Sequence, residues 1–333
     1  RRTTLAEYRK AQPKWETILD LDALNKAEGE NWVWHGANCL RPEYTRCLVA
    51  LSRGGADANV TREFDLGTRQ WVKDGFFRAE AKGALGWKDA DTVYAYTDFG
   101  PGSMTPSGYP RIVKEWKRGT PISDARVVYE GTNDDMYIAA FHDDTPGFER
   151  DFVSRTIAFY NNELYLRGAE GKLSKIDVPN SVSKGVVREW LTLELREPWE
   201  VGGKTYKAGA LLAANFDDFM AGKREFDVLF EPTDSTSLAG ATWTKNLVVL
   251  NVMDDVKNKL IVLTHGKDGW MSKPMPVGSL DFGTTSVGAV DADESDAVWL
   301  TDTNYLTPTT LMLGEAGGAP ESIEALKAMP AFF

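Results

Sequence analysis

Short apolar or alternating runs, each closed by Gly, Pro or Asp, follow one another from residue 31 nearly to the end of the chain, and this punctuation limits the fold more than any other feature. Residues 31–72 show the unit. Trp32-Val33-Trp34-His35-Gly36-Ala37 has strand character, and Arg41-Pro42-Glu43 turns it back. Residues 45–52 form the second run, Gly54-Gly55-Ala56-Asp57 the next turn, and residues 59–65 the third run. Gly67-Thr68 then leads to Gln70-Trp71-Val72. Four such runs predict an antiparallel meander. A helix would need apolar residues at i, i+3 and i+4 across these turns, and they are absent. A four-stranded sheet has two faces to bury and two edges to protect. Radial stacking of similar sheets answers both needs, so the pattern predicts an all-β chain, a β-propeller.

The unit recurs in arrangement more than in wording. Runs at 84–87 and 92–97 flank a turn at 88–91, a Gly/Pro/Ser loop covers 99–110, and runs at 111–116 and 125–130 close the second unit. The third holds 136–142, 151–160, 164–167 and 173–176. The fourth opens on a run at 187–195 and carries an insert at 215–223. There an Asn, two acidic residues and a late Gly predict a short helix. The fifth holds 240–244, 246–253 and 259–264 with the turn Gly266-Lys267-Asp268-Gly269, and the next holds 286–290, 296–301 and 309–313. Six sheets are clear, and less regular pieces supply a seventh. At about 40–50 residues each, seven four-stranded antiparallel blades fit residues 31–333. Residues 1–30 read as a partly helical lead-in, with helix formers at 5–12 and 19–28. No WD or kelch signature recurs.

Composition narrows the partners. The net charge of −11 comes without a sustained Lys/Arg stripe, so neither nucleic acid nor an anionic membrane is an expected partner. The longest apolar runs, such as 247–253, are too short to span a bilayer. No signal-peptide pattern opens the chain. Its start on Arg1-Arg2-Thr3, without methionine, suggests a trimmed or processed product. Cys39 and Cys47, the only cysteines, sit on the two arms of the first hairpin. Pairing about the 41–43 turn would set Cys39 against a residue near Thr45, so two free core thiols are expected rather than a disulfide. So few cysteines suit a cytoplasmic parent and are compatible with a periplasmic one.

Little in the sequence announces chemistry. No Gly-x-Ser-x-Gly nucleophile pentad occurs. Gly283-Thr284-Thr285-Ser286-Val287-Gly288 misses it by one residue, and a backbone turn is its expected role. His35, His142 and His265 lie in strand or turn contexts and read as structural. Two cysteines and three histidines are too few for a zinc framework. The doublets Asp134-Asp135, Asp143-Asp144, Asp217-Asp218 and Asp254-Asp255 are not glycosidase pairs. Neighbours on a strand point to opposite faces, and acids at turns bond their own backbone. Residues 291–296 resemble a calcium loop but lack its glycine and its twelfth-position Glu. The eleven tryptophans sit mostly inside strands, where packing between sheets accounts for them. No catalytic, cofactor-binding or metal-binding residue is therefore assigned, and no cofactor is expected.

Further along, the wording becomes more specific. Asp255-Val256-Lys257-Asn258-Lys259-Leu260, then Pro276-Val277-Gly278-Ser279-Leu280, and Tyr305-Leu306-Thr307-Pro308-Thr309-Thr310-Leu311 resemble the propeller of the prolyl oligopeptidase family. The opening through Trp15-Glu16 to Asn31-Trp32-Val33-Trp34 is similar to the way bacterial members enter their first blade. Residues 216–222 with Phe226-Asp227-Val228-Leu229-Phe230-Glu231-Pro232 resemble a bacterial branch of that family. The resemblance implies a seven-bladed propeller capping an α/β-hydrolase domain, with cleavage after proline in short peptides by a Ser-Asp-His triad. That catalytic domain would follow Phe333, and nothing of it is present here.

Three functional expectations follow. By resemblance, the chain is the substrate-gating propeller of a serine peptidase, inactive alone, with its own C-terminal hydrolase domain and short peptides as partners. Its acidity would bias admission toward neutral or basic peptides, and its uncovered face would favour self-association. A stand-alone interaction propeller, or a propeller enzyme of lactonase or glycosidase type with a site at the tunnel mouth, remain as alternatives.

Overall fold

A computed structural model describes residues 1–275 and 283–331. The resembling segment Pro276–Leu280 and the terminal Phe332 and Phe333 lie outside the described residues. The chain divides into two compact units. One comprises residues 1–3 and 15–180, the other residues 4–14 and 181–333.

The first unit holds three antiparallel sheets. Sheet 1 orders β1 (Trp32–Cys39), β2 (Arg46–Arg53) and β3 (Asn59–Asp65), with β4 (Gln70–Trp71) and β5 (Phe77–Ala81) both paired to β3. Sheet 2 is β6 (Ala84–Asp89), β7 (Thr92–Tyr96), β8 (Ile112–Lys117) and β9 (Arg126–Glu130). Sheet 3 is β10 (Tyr137–Asp143), β11 (Arg150–Ala158), β12 (Asn161–Arg167) and β13 (Leu173–Lys175). The turns follow the punctuation except between β11 and β12, where the chain turns on Phe159 and Tyr160 inside the run expected at 151–160, and every strand pairs with its sequence neighbour or one step beyond. Helix α1 (Leu5–Tyr8) belongs to the second unit, and α2 (Leu21–Glu28) lies in the first. Asp20 caps α2 by accepting from the Ala23 amide, and Gly29 ends it in the left-handed conformation, φ 68°. Its neighbours Ile18, Leu19, Leu21 and Leu24 cover the apolar face of sheet 1 formed by Trp32, Val49, Leu51 and Phe64.

The second unit repeats the scheme. Sheet 4 is β14 (Ser183–Val187), β15 (Trp190–Glu194), β18 (Leu211–Asn215) and β19 (Asp227–Phe230), with a ribbon of β16 (Trp199–Val201) and β17 (Lys204–Tyr206) in the β15–β18 connection. The run at 187–195 is thus two strands. Arg188, at φ 50°, turns the chain between them. Helix α3 (Phe216–Met220) stands where the insert predicted it, its Asn215 side chain accepting from the Asp218 amide. Sheet 5 is β20 (Thr236–Trp243), β21 (Val248–Asp254), β22 (Lys257–Gly266) and β23 (Gly269–Pro274). Sheet 6 is β24 (Thr284–Ala289), β25 (Ala297–Thr303), β26 (Thr310–Glu315) and β27 (Glu324–Ala328). Among the described residues there are therefore seven antiparallel sheets, the expected number. They are not uniform: five have four strands, sheet 1 has five, and the ribbon has two.

The cysteine expectation is corrected. Cys39 and Cys47 form a disulfide. The β1–β2 loop centres on Glu43 rather than Pro42, so Cys39 and Cys47 are register partners. The next pair inward carries the bond from the Leu40 amide to the Arg46 carbonyl at 2.8 Å, which makes theirs a non-hydrogen-bonded pair with side chains close together. A one-residue error in the turn centre had moved the sulfurs apart.

Candidate functional site

In the first unit, a cavity of about 370 Å³ opens at the ends of sheets 1–3 that carry the β2–β3, β7–β8 and β11–β12 connections. Its walls come from all three sheets. Sheet 1 supplies His35 and Asn59, the start of sheet 2 supplies Lys82 and Gly83, and sheet 3 supplies Met136 and Tyr137, with Tyr109 reaching in from the β7–β8 loop. His35 is there because β1 is bulged. Trp34 pairs with Leu51 and Gly36 with Ala50, leaving His35 as the extra residue. A bulge re-aims the side chain it carries. Gly83 is required by a close approach: at φ +127°, a Cβ would lie 2.1 Å from the Tyr96 carbonyl oxygen.

The aromatic wall is layered. Tyr137 meets Tyr109 and Tyr96 edge-on, with ring centres 6.0 and 5.8 Å apart. Lys82 places its ammonium 4.2 Å from the Tyr109 ring centre. Beneath lies Arg78, 1% exposed, with no carboxylate partner among the described residues. Its guanidinium donates instead to neutral acceptors. These are Thr61 Oγ1 at 3.2 Å, the Ala81 carbonyl at 3.0 Å, Thr97 Oγ1 at 3.3 Å and the Asn59 side chain. Burial brings its pKa down to about 10, and burial likewise pushes the Tyr96 and Tyr137 hydroxyls up. The walls are thus aromatic, with Lys82 and Asp57 paired at 3.4 Å among them and Arg78 buried behind Asn59. Such a cavity suits an apolar ring flanked by a hydrogen-bond acceptor.

The other ends of β6 and β10 carry charge. His142 Nδ1 lies 3.0 Å from Asp151 Oδ1 across the β10–β11 pair, and Lys88 reaches the same carboxylate at 3.7 Å. The bond to Asp151 raises the His142 pKa above its ordinary value. Arg167 bonds Glu115 at 2.6 Å and the Tyr94 hydroxyl at 2.8 Å, joining sheet 3 to sheet 2.

The residues weighed from sequence fall as follows. Among the described residues no histidine bonds a serine, and His265 instead meets Trp190 edge-on and Trp270 at a tilt, ring centres 4.7 and 5.1 Å away. Ser286 lies within β24, paired with Thr301, and not on a strand-to-helix elbow. Asp135 is buried against Arg155 at 2.8 Å, and Asp143 faces Arg150 at 3.5 Å. Asp218 pairs with Lys223, and Asp254 with Lys259. In the 291–296 stretch, Asp291 accepts from the amides of Asp293 and Glu294, while Asp296 bonds Thr244 and Asn246. These acids serve turns and ion pairs. Among the described residues no three His, Cys, Asp or Glu side chains gather as a metal-holding group. Sequence reasoning singled out none of Arg78, Tyr109 and Tyr137, and read His35 as structural without its bulge. Only the Gly36 after His35 hinted at a break in β1.

The turns between second and third strands are exposed and apolar in several sheets. In the first unit Phe159 is 85% exposed beside Tyr160, on the same end as the cavity. In the second unit Val256, and Tyr305 at 91% with Leu306, occupy the corresponding turns of sheets 5 and 6.

A profile of the prolyl oligopeptidase N-terminal beta-propeller domain matches residues 1–313. The chain belongs to that family. Uncharacterized peptidases of Sinorhizobium fredii and Rickettsia prowazekii are 34% and 30% identical to this propeller, over 100% and 94% of its length. Among solved structures, a post-proline cleaving enzyme from Rickettsia typhi superposes with a TM-score of 0.90 over 99% of the chain, at 26% identity. An oligopeptidase B from Leishmania major superposes with a TM-score of 0.67 at 14% identity, a likeness of fold alone. The propeller spans about half of these relatives: 46% and 45% of the two peptidases and 50% of the Rickettsia typhi chain. Val256 and Tyr305-Leu306, two of the places that carried the resemblance, are those exposed turn tips.

Proposed function

We propose that the chain is the gating propeller of a serine peptidase that cleaves short proline-containing peptides, its Ser-Asp-His triad lying in a hydrolase domain elsewhere in the full-length protein. The observation that carries this reading is the match of 99% of the chain to half of a post-proline cleaving enzyme. The exposed tips, Phe159 and Tyr160 in the first unit and Val256, Tyr305 and Leu306 in the second, support a partner contact on each unit, because free-standing turns gain nothing from apolar tips. The aromatic cavity in the first unit supports a peptide route, since rings of Tyr109 and Tyr137 with the Met136 thioether suit a pyrrolidine ring.

In this reading specificity is first steric. Folded proteins are kept out, and short flexible chains pass. Full-length protein and this chain, assayed side by side on a Gly-Pro reporter peptide, provide the test. The full-length protein should cleave the reporter, should spare a folded protein displaying the same dipeptide in a loop, and the chain alone should be inert. Hydrolysis of the reporter by the chain alone would end the proposal. Left uncovered, the apolar tips also favour self-association of the chain, which a strictly monomeric sedimentation profile at high concentration would refute.

A further inference from the structure

At the end of β6 and β10 remote from the aromatic cavity, about 17 Å away along the strands, lies a second cavity of about 540 Å³. It is lined by Lys88, Glu115, Arg126, Asp151 and Arg167, and by the turn at 168–171. The balance of its charges is uneven in one place. Glu115 already receives Lys88 at 3.0 Å and Arg167 at 2.6 Å. Arg126 is the register partner of Glu115 across the β8–β9 pair, the usual place for a third bond. It makes none. Among the described residues Arg126 has no ion pair, hydrogen bond or ring contact, and its guanidinium lines the cavity wall. Gly171 leaves it room, since a Cβ there would come within 3.0 Å of Arg126 Nη2. Two cations already occupy Glu115, the register partner of Arg126, and among the described residues Arg126 stands at the cavity wall without an acceptor.

We propose that this cavity is a binding site for a carboxylate, that of a peptide's C-terminus, with Arg126 as the bidentate donor. The identification of the carboxylate as a peptide's rests on the gating reading above. A guanidinium fork matches the two oxygens of a carboxylate or of a phosphate. Glu149, Asp151 and Glu170 share the walls, and they repel a dianion more than a monoanion. The carboxylate is therefore the better fit.

The test uses this chain and two probes, the pentapeptide Gly-Pro-Gly-Pro-Ala as free acid and as C-terminal amide, titrated by calorimetry. The native chain should bind the acid at least tenfold more tightly than the amide. Arg126→Gln should bring the acid to the level of the amide with the far-ultraviolet circular dichroism unchanged, and Arg126→Lys should lose part of the preference, because it keeps the charge without the fork. Equal affinities for acid and amide, no detectable binding of either, or a preference that survives Arg126→Gln would overturn the proposal. So would inorganic phosphate displacing the acid as strongly as the peptide binds, which would make the site one for phosphate. Should Arg126→Gln fail to fold, the acid-against-amide ratio of the native chain and the Arg126→Lys variant still decide. Because binding is read on this chain, and gating on cleavage by the full-length protein, the two ideas fail separately.

Discussion

Between sheets 1 and 2, Glu63, a carboxylate with no exposed side-chain area, takes two bonds from Arg118, at 2.8 and 3.1 Å. It also accepts from Arg46 and from the Phe76 amide, each at 2.9 Å. Between sheets 5 and 6, in the other unit, charged groups meet neutral partners: Asp296 accepts from Thr244 and Asn246, Lys273 donates to the Gly317 carbonyl at 2.8 Å, and the buried bridge is made of amides. Asn251 donates to the Thr285 carbonyl at 2.7 Å, and Asn258 donates to Asn251 at 2.7 Å while accepting from the Thr285 amide at 3.2 Å. Around them lie Val249, Val262, Val298 and Leu300, all buried. Similar sheets are thus joined through ion pairs in one unit, and through amides, aliphatic packing and the neutral donors of Asp296 in the other. An ion pair taken out of water stabilises only while both partners stay charged and bonded. An amide bridge is indifferent to pH. The difference teaches that one sheet architecture tolerates either chemistry, but each fails in its own way.

The comparison can be broken most directly at Glu63. Arg118→Met should cost about 3 kcal/mol, near the lower end expected for stranding a buried charge, because Arg46 remains bonded to it. A shift in the urea midpoint of the first unit's signals measures this, and a loss under ~1 kcal/mol would mean that the pair is not a lock. Next in size, Asn258→Ala should cost about 2 kcal/mol by leaving the Thr285 amide without its acceptor. That loss should be the same at pH 7 and pH 4.5. If it varies with pH as the Arg118 variant's does, the contrast between the units is wrong.

The smallest effect sharpens the contrast in the native chain. Burial alone would push the carboxyls of Glu63, Glu115 and Asp151 up. Their bonds, chiefly from Arg118, Arg167 and His142 respectively, reverse this and hold all three below their ordinary values. Glu163, bonded by Lys175 and Tyr165 against the same burial effect, is held at about 2. Groups depressed on folding contribute stability above their unfolded pKa and lose it as pH falls through the folded one. The first unit, where Glu63, Glu115, Asp151 and Glu163 act together, should therefore loosen first and furthest as pH drops from about 4.5 toward 2, ahead of sheets 5 and 6, where Asp296 is the bridging carboxyl held low in the same way. Hydrogen exchange resolved by peptide reads the order. Simultaneous loss of protection in both units would remove the distinction.

Much of this was open to reading from residues alone. The Gly, Pro and Asp punctuation placed the strands because turns need those residues locally, and local rules need no tertiary partner. Helix α3 was legible for the same reason, its Asn215 cap being a contact three residues long. The run at 187–195 was misread because Arg188 adopts a positive φ without the Gly or Asn that usually marks one. Cys39 and Cys47 were misjudged because register turns on the centre of a loop, which sequence locates only to within a residue.

The residues alone carried a chain of small antiparallel sheets, since alternation and turn chemistry are properties of neighbours in the chain, and the wording of a few segments carried the resemblance to the prolyl oligopeptidase propeller. Tertiary contacts alone settled that, among the described residues, Arg78 is buried without a carboxylate, that Tyr109 and Tyr137 share a wall, and that Arg126 is the cation without a bond to Glu115. Those facts depend on residues far apart in sequence competing for the same few acceptors, and no local pattern records the outcome of that competition.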